Sequence, residues 1–168
     1  DDPDPARHPT IWAVRRLLVA LCESAAGGAT GRVGFFVDLH AHATKRGAFC
    51  YANALPHYAQ QVENMLLARL LSLNCAHFDF GGCVFSEKDM EAKDSRGQSK
   101  EGSSRVGVYR ATGLVHCLTV EVNYNGGKSA GQRPPHHTTD GRASPPDAVR
   151  GVGGPPKFTD ATFREVGK

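Results

Sequence analysis

The sequence has no window approaching the ~18 apolar residues that a membrane-spanning helix needs. No secretory leader is visible either. The longest helical apolar stretch, residues 11–22, is broken by Arg15 and Arg16. Charge of one sign is scarce: 20 Lys+Arg stand against 17 Asp+Glu, and a net +3 gives no footing for nucleic acid. C-x-x-C is absent, and the five cysteines (Cys22, Cys50, Cys75, Cys83, Cys117) are odd in number and widely spaced. A disulfide framework is therefore not expected, and a reducing compartment suits the pattern. Each cysteine reads as a small buried hydrophobe, and none has a basic sequence neighbour that would mark a nucleophile. G-x-S-x-G is missing, and Gly97, Gly102 and Gly107 do not form a phosphate cradle. No internal repeat is apparent.

One further absence matters most. Helical zinc-ligand pairs appear as H-x-x-E or H-E-x-x-H. Of His8, His40, His42, His57, His77, His116, His136 and His137, none is followed by Glu three residues on. Catalytic zinc usually takes three protein ligands and a water. The spacing alone therefore assembles no complete site.

What is present is ordinary globular material: 168 residues, 40% hydrophobic and 22% charged, enough for one domain with a core. The Pro-rich opening reads as a loop, and a helix is expected from Thr10 to about Ser24 with Ile11, Val14, Leu17, Leu18 and Leu21 on one face. Residues 33–39 form a short apolar run, expected as a strand buried on both sides and closed by His40. A second helix is expected over residues 58–73 with Asn74 as its stop. Residues 77–85 read as extended and Gly-broken, and residues 86–104 as a charged loop. Two strands are expected at 106–109 and 114–122, joined at Thr112-Gly113, and a last helix opens at 158–166 with Thr159 as cap. From Gly126 to Pro156 hydrophobic periodicity disappears, so that segment is expected to be mostly unstructured. Strands alternating with helices point to an α/β layer fold, in which ligands sit at the carboxyl ends of strands.

Three places could carry chemistry. In FFVDLHAHATKRGAF, His40 and His42 follow an apolar run, and either a metal ligand or a strand-end polar residue fits. Glu121, between Val120 and Val122, is costly inside an apolar strand unless paired or functional, although alternation would also let it face solvent. In a cleft it would suit general-base work. The loop from Lys93 to Arg105 has an excess of positive charge that could attract carboxylates or simply be solvated.

Four segments taken together, FFVDLHAHATKRGAFCYAN, LNCAHFDFGGCVFSEKDM, GQSKEGSSRVGVYRATG and HCLTVEVNYNGG, resemble the cytosolic carboxypeptidases. These are zinc metallocarboxypeptidases that trim glutamates from protein tails, notably tubulin. The likeness is closest to the branch associated with branch-point glutamates, which HPTIWAVRRLL and the GRASPP and FREVGK segments also fit. It covers most of the chain outside about residues 128–140.

The resemblance implies a mixed β-sheet flanked by helices, with one Zn2+ as cofactor. It makes His40 the third zinc ligand, His42 a supporting neighbour and Glu121 the general acid/base. It assigns Tyr109 to cover the substrate carboxylate, and Arg110 and Arg105 to meet an acidic side chain. The family's H-x-x-E, with the other two ligands, and its carboxylate-binding N-R pair lie upstream of the HPT segment and do not occur here. The expectation is therefore the C-terminal part of a catalytic domain in residues 1–127, a Pro/Gly-rich disordered insertion at 128–157, and the start of that domain's last helix at 158–168. The resemblance implies acidic protein tails, those of tubulin, as partners, without nucleic acid or membrane, in the cytoplasm and in association with microtubules. Two rival expectations are an inactive homologue or fragment that binds acidic tails, and an aspartoacylase-type zinc amidase. The long KDSRGQSKEGSSRVGVYRATG match argues against the second.

Overall fold

The computed structural model describes residues 3–23, 33–93, 97, 99, 102–128 and 157–167. In chain order the elements are α1 (Pro9–Glu23), β1 (Phe36–His42), β2 (Ala48–Ala52), α2 (Tyr58–Asn74), α3 (Glu87–Glu91), α4 (Ser104–Thr112), β3 (Cys117–Asn123) and α5 (Asp160–Val166). This is a mixed α/β arrangement with a three-stranded sheet in the order β1-β3-β2. Phe36 N–H bonds His116 O at 2.7 Å and Tyr124 N–H bonds His42 O at 3.3 Å, so β1 runs parallel to β3. Asn123 N–H bonds Gly47 O, and Gly47 N–H bonds Gly126 O, each at 3.0 Å. Those bonds set β2 antiparallel to β3, so the short turn after β1 suffices to reach β2.

The helices form where capping and periodicity ask for them. Thr159 caps α5 by accepting from Thr162 N–H, and Asn74 ends α2 with its amide donated to Leu70 O at 2.8 Å. The α4 helix stops at Gly113, whose φ of 71° is left-handed and whose N–H bonds Tyr109 O at 2.7 Å. Only glycine holds that conformation at little cost.

Four expectations are corrected. Residues 106–109 lie inside helix α4 rather than a strand. Their β-branched residues suggested extension, but Val106 and Val108 are buried along a helix that Asp38 and Asn53 hold. Strand β1 begins at Phe36 and ends at His42, so His40 does not close it. It is also not buried on both sides, since Val37 and Leu39 are exposed on this edge strand. The charged loop holds a short helix, α3, capped by the Ser86 side chain. Within residues 77–85, bridges at Phe78 and Val84 flank a tight helical turn at Phe80–Gly82. Residues 24–32 and 129–156, which include the end expected for the first helix and almost all of the Pro/Gly-rich segment, lie outside the described residues.

The chain divides into two compact units. The first takes Asp1–Asp38, Ala52–Asn64 and Val84–Thr119; the second takes Leu39–Tyr51, Met65–Cys83 and Val120–Lys168. In the first, α1 lies on α4, and a cleft of about 590 Å³ has Ile11, Val14, Leu18 and Phe36 as apolar wall. In the second, Phe49, Cys50, Ala68 and Phe78 are buried. Helix α2 buries the small or polar residues Asn64, Ala68 and Ser72, one turn apart, while Val62, Leu66, Leu70 and Leu73 are exposed. No helix among the described residues is long and apolar enough to cross a membrane.

Candidate metal and acid–base site

The parallel pairing of β1 with β3 keeps one register from end to end. Phe36 stands opposite Cys117 and His42 opposite Asn123, which puts His40 opposite Glu121. Opposed residues on neighbouring strands share a face of the sheet. The outcome is a contact: His40 Nδ1 lies 3.7 Å from Glu121 Oε1. The histidine side chain is half exposed and the glutamate is buried on the central strand. An accessible imidazole beside a sheltered carboxylate can bind a cation through the ring and move a proton through the carboxylate. Among the described residues, no three His, Cys, Asp or Glu side chains converge as a metal-holding group.

His42 has a different task. Its Nδ1 accepts the backbone N–H of Lys45 at 3.0 Å and of Thr44 at 3.3 Å, capping the turn that follows β1. Its ring meets Phe49 edge-on at 5.2 Å. A ring nitrogen that accepts two amide protons leaves the tautomeric proton on Nε2. Asn123 ties the same turn from β3. Its buried amide donates to Lys45 O at 2.9 Å and Ala43 O at 3.4 Å, and its carbonyl accepts from Asn125 and Gly126 N–H. Two side chains thus hold in place the turn that leads away from His40.

Tyr109, Arg110 and Arg105 all sit on α4, in the other unit. Arg110 is exposed and lines the α1–α4 cleft together with Arg15 and His8. Tyr109 is half-buried. Arg105 is only 2% exposed, and its guanidinium pairs with Asp89 at 2.6 Å. A buried, paired guanidinium anchors its helix. The backbone joins in: Asn53 donates to Arg105 O at 3.1 Å, and Asn64 donates to Asn53 O at 2.9 Å. The Ser104 hydroxyl bonds the Asp38 carboxylate. Lys93 is exposed; Arg96 and Lys100, the other cations of the expected basic loop, lie outside the described residues.

Sequence reading missed two features. Alternate residues of β1 and β3 (Asp38, His40 and His42; Thr119, Glu121 and Asn123) share one polar sheet face. The period-2 pattern V-D-L-H-A-H was the signal, hidden by reading the segment as a continuous apolar run. Cys83 also has a cationic neighbour after all, Lys45, which is far away in sequence. The hydrogen bond from the Cys50 side chain, helped by the Cys50 amide and by Lys45, holds the Cys83 thiol below its ordinary value against the opposing effects of burial and Asp79. Burial instead pushes the Cys117 thiol up to about 12.

No family model matches the chain. Among curated proteins it is 55% identical over 137 residues to cytosolic carboxypeptidase-like protein 5 of Danio rerio, an alignment covering 81% of this chain and 15% of that protein. The protein of the same name from Homo sapiens is 44% identical over 171 residues, covering 99% of this chain and 19% of that protein. Cytosolic carboxypeptidase 6 of Mus musculus is 25% identical over 126 residues, covering 73% of this chain and 21% of that protein. The chain therefore spans about a fifth or less of the length of these relatives.

Proposed function

The chain belongs to the cytosolic carboxypeptidase family, and on that premise we propose that it supplies one metal ligand and the acid/base of a zinc carboxypeptidase that removes glutamates from acidic protein tails such as those of tubulin. The register pairing of His40 with Glu121 carries the reading, because it sets a ligand-type imidazole 3.7 Å from a sheltered carboxylate. The word "cytosolic" in the names of the relatives supports a cytoplasmic location, and association with microtubules follows from the proposed substrate.

The donor chemistry fits zinc: a half-exposed imidazole is a borderline-soft ligand of the kind that ion takes. His40 would hold it, with further ligands from outside the described residues of this chain. Bound zinc supplies Lewis-acid polarisation of the scissile carbonyl and a more acidic water. Glu121 accepts the proton of the attacking water and returns it to the leaving nitrogen, the two halves of general acid–base catalysis. Its burial leaves few waters to compete for that proton. By the family resemblance Arg110 and Tyr109 are assigned to the acidic chain end, while Arg105 pairs with Asp89 within the unit that holds α4.

The test uses the full polypeptide that contains this chain, with glutamate-terminated peptides, branched glutamyl peptides and N-acyl amino acids offered in parallel. Zinc-dependent release of glutamate from the peptides is the expected result. Cleavage of acyl-amino acids alone would replace the reading with an amidase. Tail binding without release would leave a binding module.

A further inference from the structure

The second unit holds a pair of thiols that the proposed hydrolysis does not use. Cys50 sits in the middle of β2, completely buried. Cys83 follows the tight turn Phe80–Gly82 and is half-buried. The Cys50 N–H donates to Cys83 Sγ at 3.3 Å, and the Cys50 thiol hydrogen-bonds the same sulfur. Cys83 Sγ in turn donates to Asp79 O at 3.5 Å. Neither cysteine is in a disulfide.

The backbone holds this pair together. Ala48 N–H bonds His77 O at 3.0 Å, and Asp79 N–H bonds Ala48 O at 2.7 Å, so the segment leading to Cys83 runs along β2. Lys45 bonds Gly82 O and lies 4.0 Å over the Phe49 ring. Gly82 allows that approach, since a Cβ there would meet Asp79 Oδ2 at 2.9 Å and Lys45 Cε at 3.3 Å. A side chain at Gly82 would have to displace the Asp79 and Lys45 side chains; as it stands, the chain delivers a cation and an accessible sulfur next to a buried sulfur.

We propose that Cys50 and Cys83 are a peroxide-sensitive dithiol that closes reversibly to a disulfide. Cys83, the accessible member, is the nucleophile. Its thiolate attacks a hydroperoxide oxygen, so that an S–O bond forms, the O–O bond breaks and hydroxide leaves with the proton that Cys83 gave up. The Cys50 sulfur then attacks the Cys83 sulfenic acid. An S–S bond forms, the S–O bond breaks, and water leaves with the Cys50 proton. Two thiols are oxidised by two electrons and the peroxide is reduced to water. The depressed acidity range of Cys83 raises its thiolate fraction at neutral pH, and the Cys50 amide and Lys45 stabilise that charge. Cys117, fully buried and pushed up to about 12, is a built-in control that should stay reduced.

The experiment treats the full chain with stoichiometric hydrogen peroxide, blocks remaining thiols with N-ethylmaleimide and maps tryptic peptides by mass spectrometry. Cys75 and Cys83 share the peptide of residues 70–88, whereas Cys50 lies in that of residues 47–69. The expected result is a dithiothreitol-reversible link between these two peptides that persists in Cys75→Ala and disappears in Cys83→Ala. Should Cys83→Ala fail to fold, fragmentation of the linked peptides from Cys75→Ala decides by itself. A link that needs Cys75, over-oxidation of Cys83 with Cys50 still alkylatable, or no link below the dose that oxidises Cys22 would each overturn the proposal.

Discussion

His40 on β1 and Glu121 on β3 face each other across a parallel register, with Nδ1 3.7 Å from Oε1. The Glu121 side chain is sheltered and the His40 imidazole is reachable, so the two substitutions should fail in different ways. In the full polypeptide, Glu121→Gln keeps the shape and removes the base. Glutamate release should fall by about 10²- to 10⁴-fold with bound zinc unchanged. Loss of the metal in that variant would show that Glu121 is a ligand.

The two histidines separate in the same experiment. His40→Ala should lose zinc on dialysis, read by elemental analysis. His42→Ala should keep it, since its Nδ1 is committed to the Lys45 and Thr44 amides. The expected cost of His42→Ala is about 1 kcal/mol of stability, comparable to the loss of a cap, measured by urea unfolding. Zinc loss in His42→Ala with retention in His40→Ala would reverse the assignment.

Arg105 should behave as a structural cation. Removing it takes away the guanidinium that meets the Asp89 carboxylate at 2.6 Å. Arg105→Ala is expected to cost about 3–5 kcal/mol. The double variant Arg105→Ala, Asp89→Ala should be less destabilised than the two single variants added together. Strict additivity in denaturant unfolding would mean that the pair contributes nothing. Arg110→Ala, at an exposed position, should instead leave stability nearly unchanged and weaken use of acidic substrates, seen as a rise in KM.

Cys117 makes stability sensitive to alkali. Burial pushes its thiol up to about 12, whereas an unfolded cysteine titrates near about 8.5. Between those values the native state keeps a proton that the unfolded chain has lost. The contribution is therefore fully present below the unfolded value and is lost as pH rises toward the folded one. The urea midpoint should fall from about pH 9 upward, and Cys117→Ala should show a shallower fall. Equal slopes would remove Cys117 as the cause.

The fold was legible where local physics decides it. The long helices α1 and α2 and the cap of α5 follow from periodicity and from Thr159. Helix α4 was not legible, because Val106 and Val108 favour extension locally and are overruled by burial and by the partners of Arg105 and Ser104. Strand β1 was found, but its alternation was taken for a continuous run. The polar face that it shares with β3 was missed for that reason.

By itself the sequence determined which residues are able to do chemistry and ruled out a complete zinc triad of recognisable spacing, because ligand type and i,i+3 spacing are local properties. His40 and Glu121 could be named from it, but not joined. Their pairing depends on the register of two strands far apart in the sequence, and backbone hydrogen bonds at both ends of β1 set that register. The same holds for Cys50 with Cys83 and for Arg105 with Asp89. Each is a contact between residues distant in sequence, and only the tertiary structure supplies the burial and geometry that give it meaning.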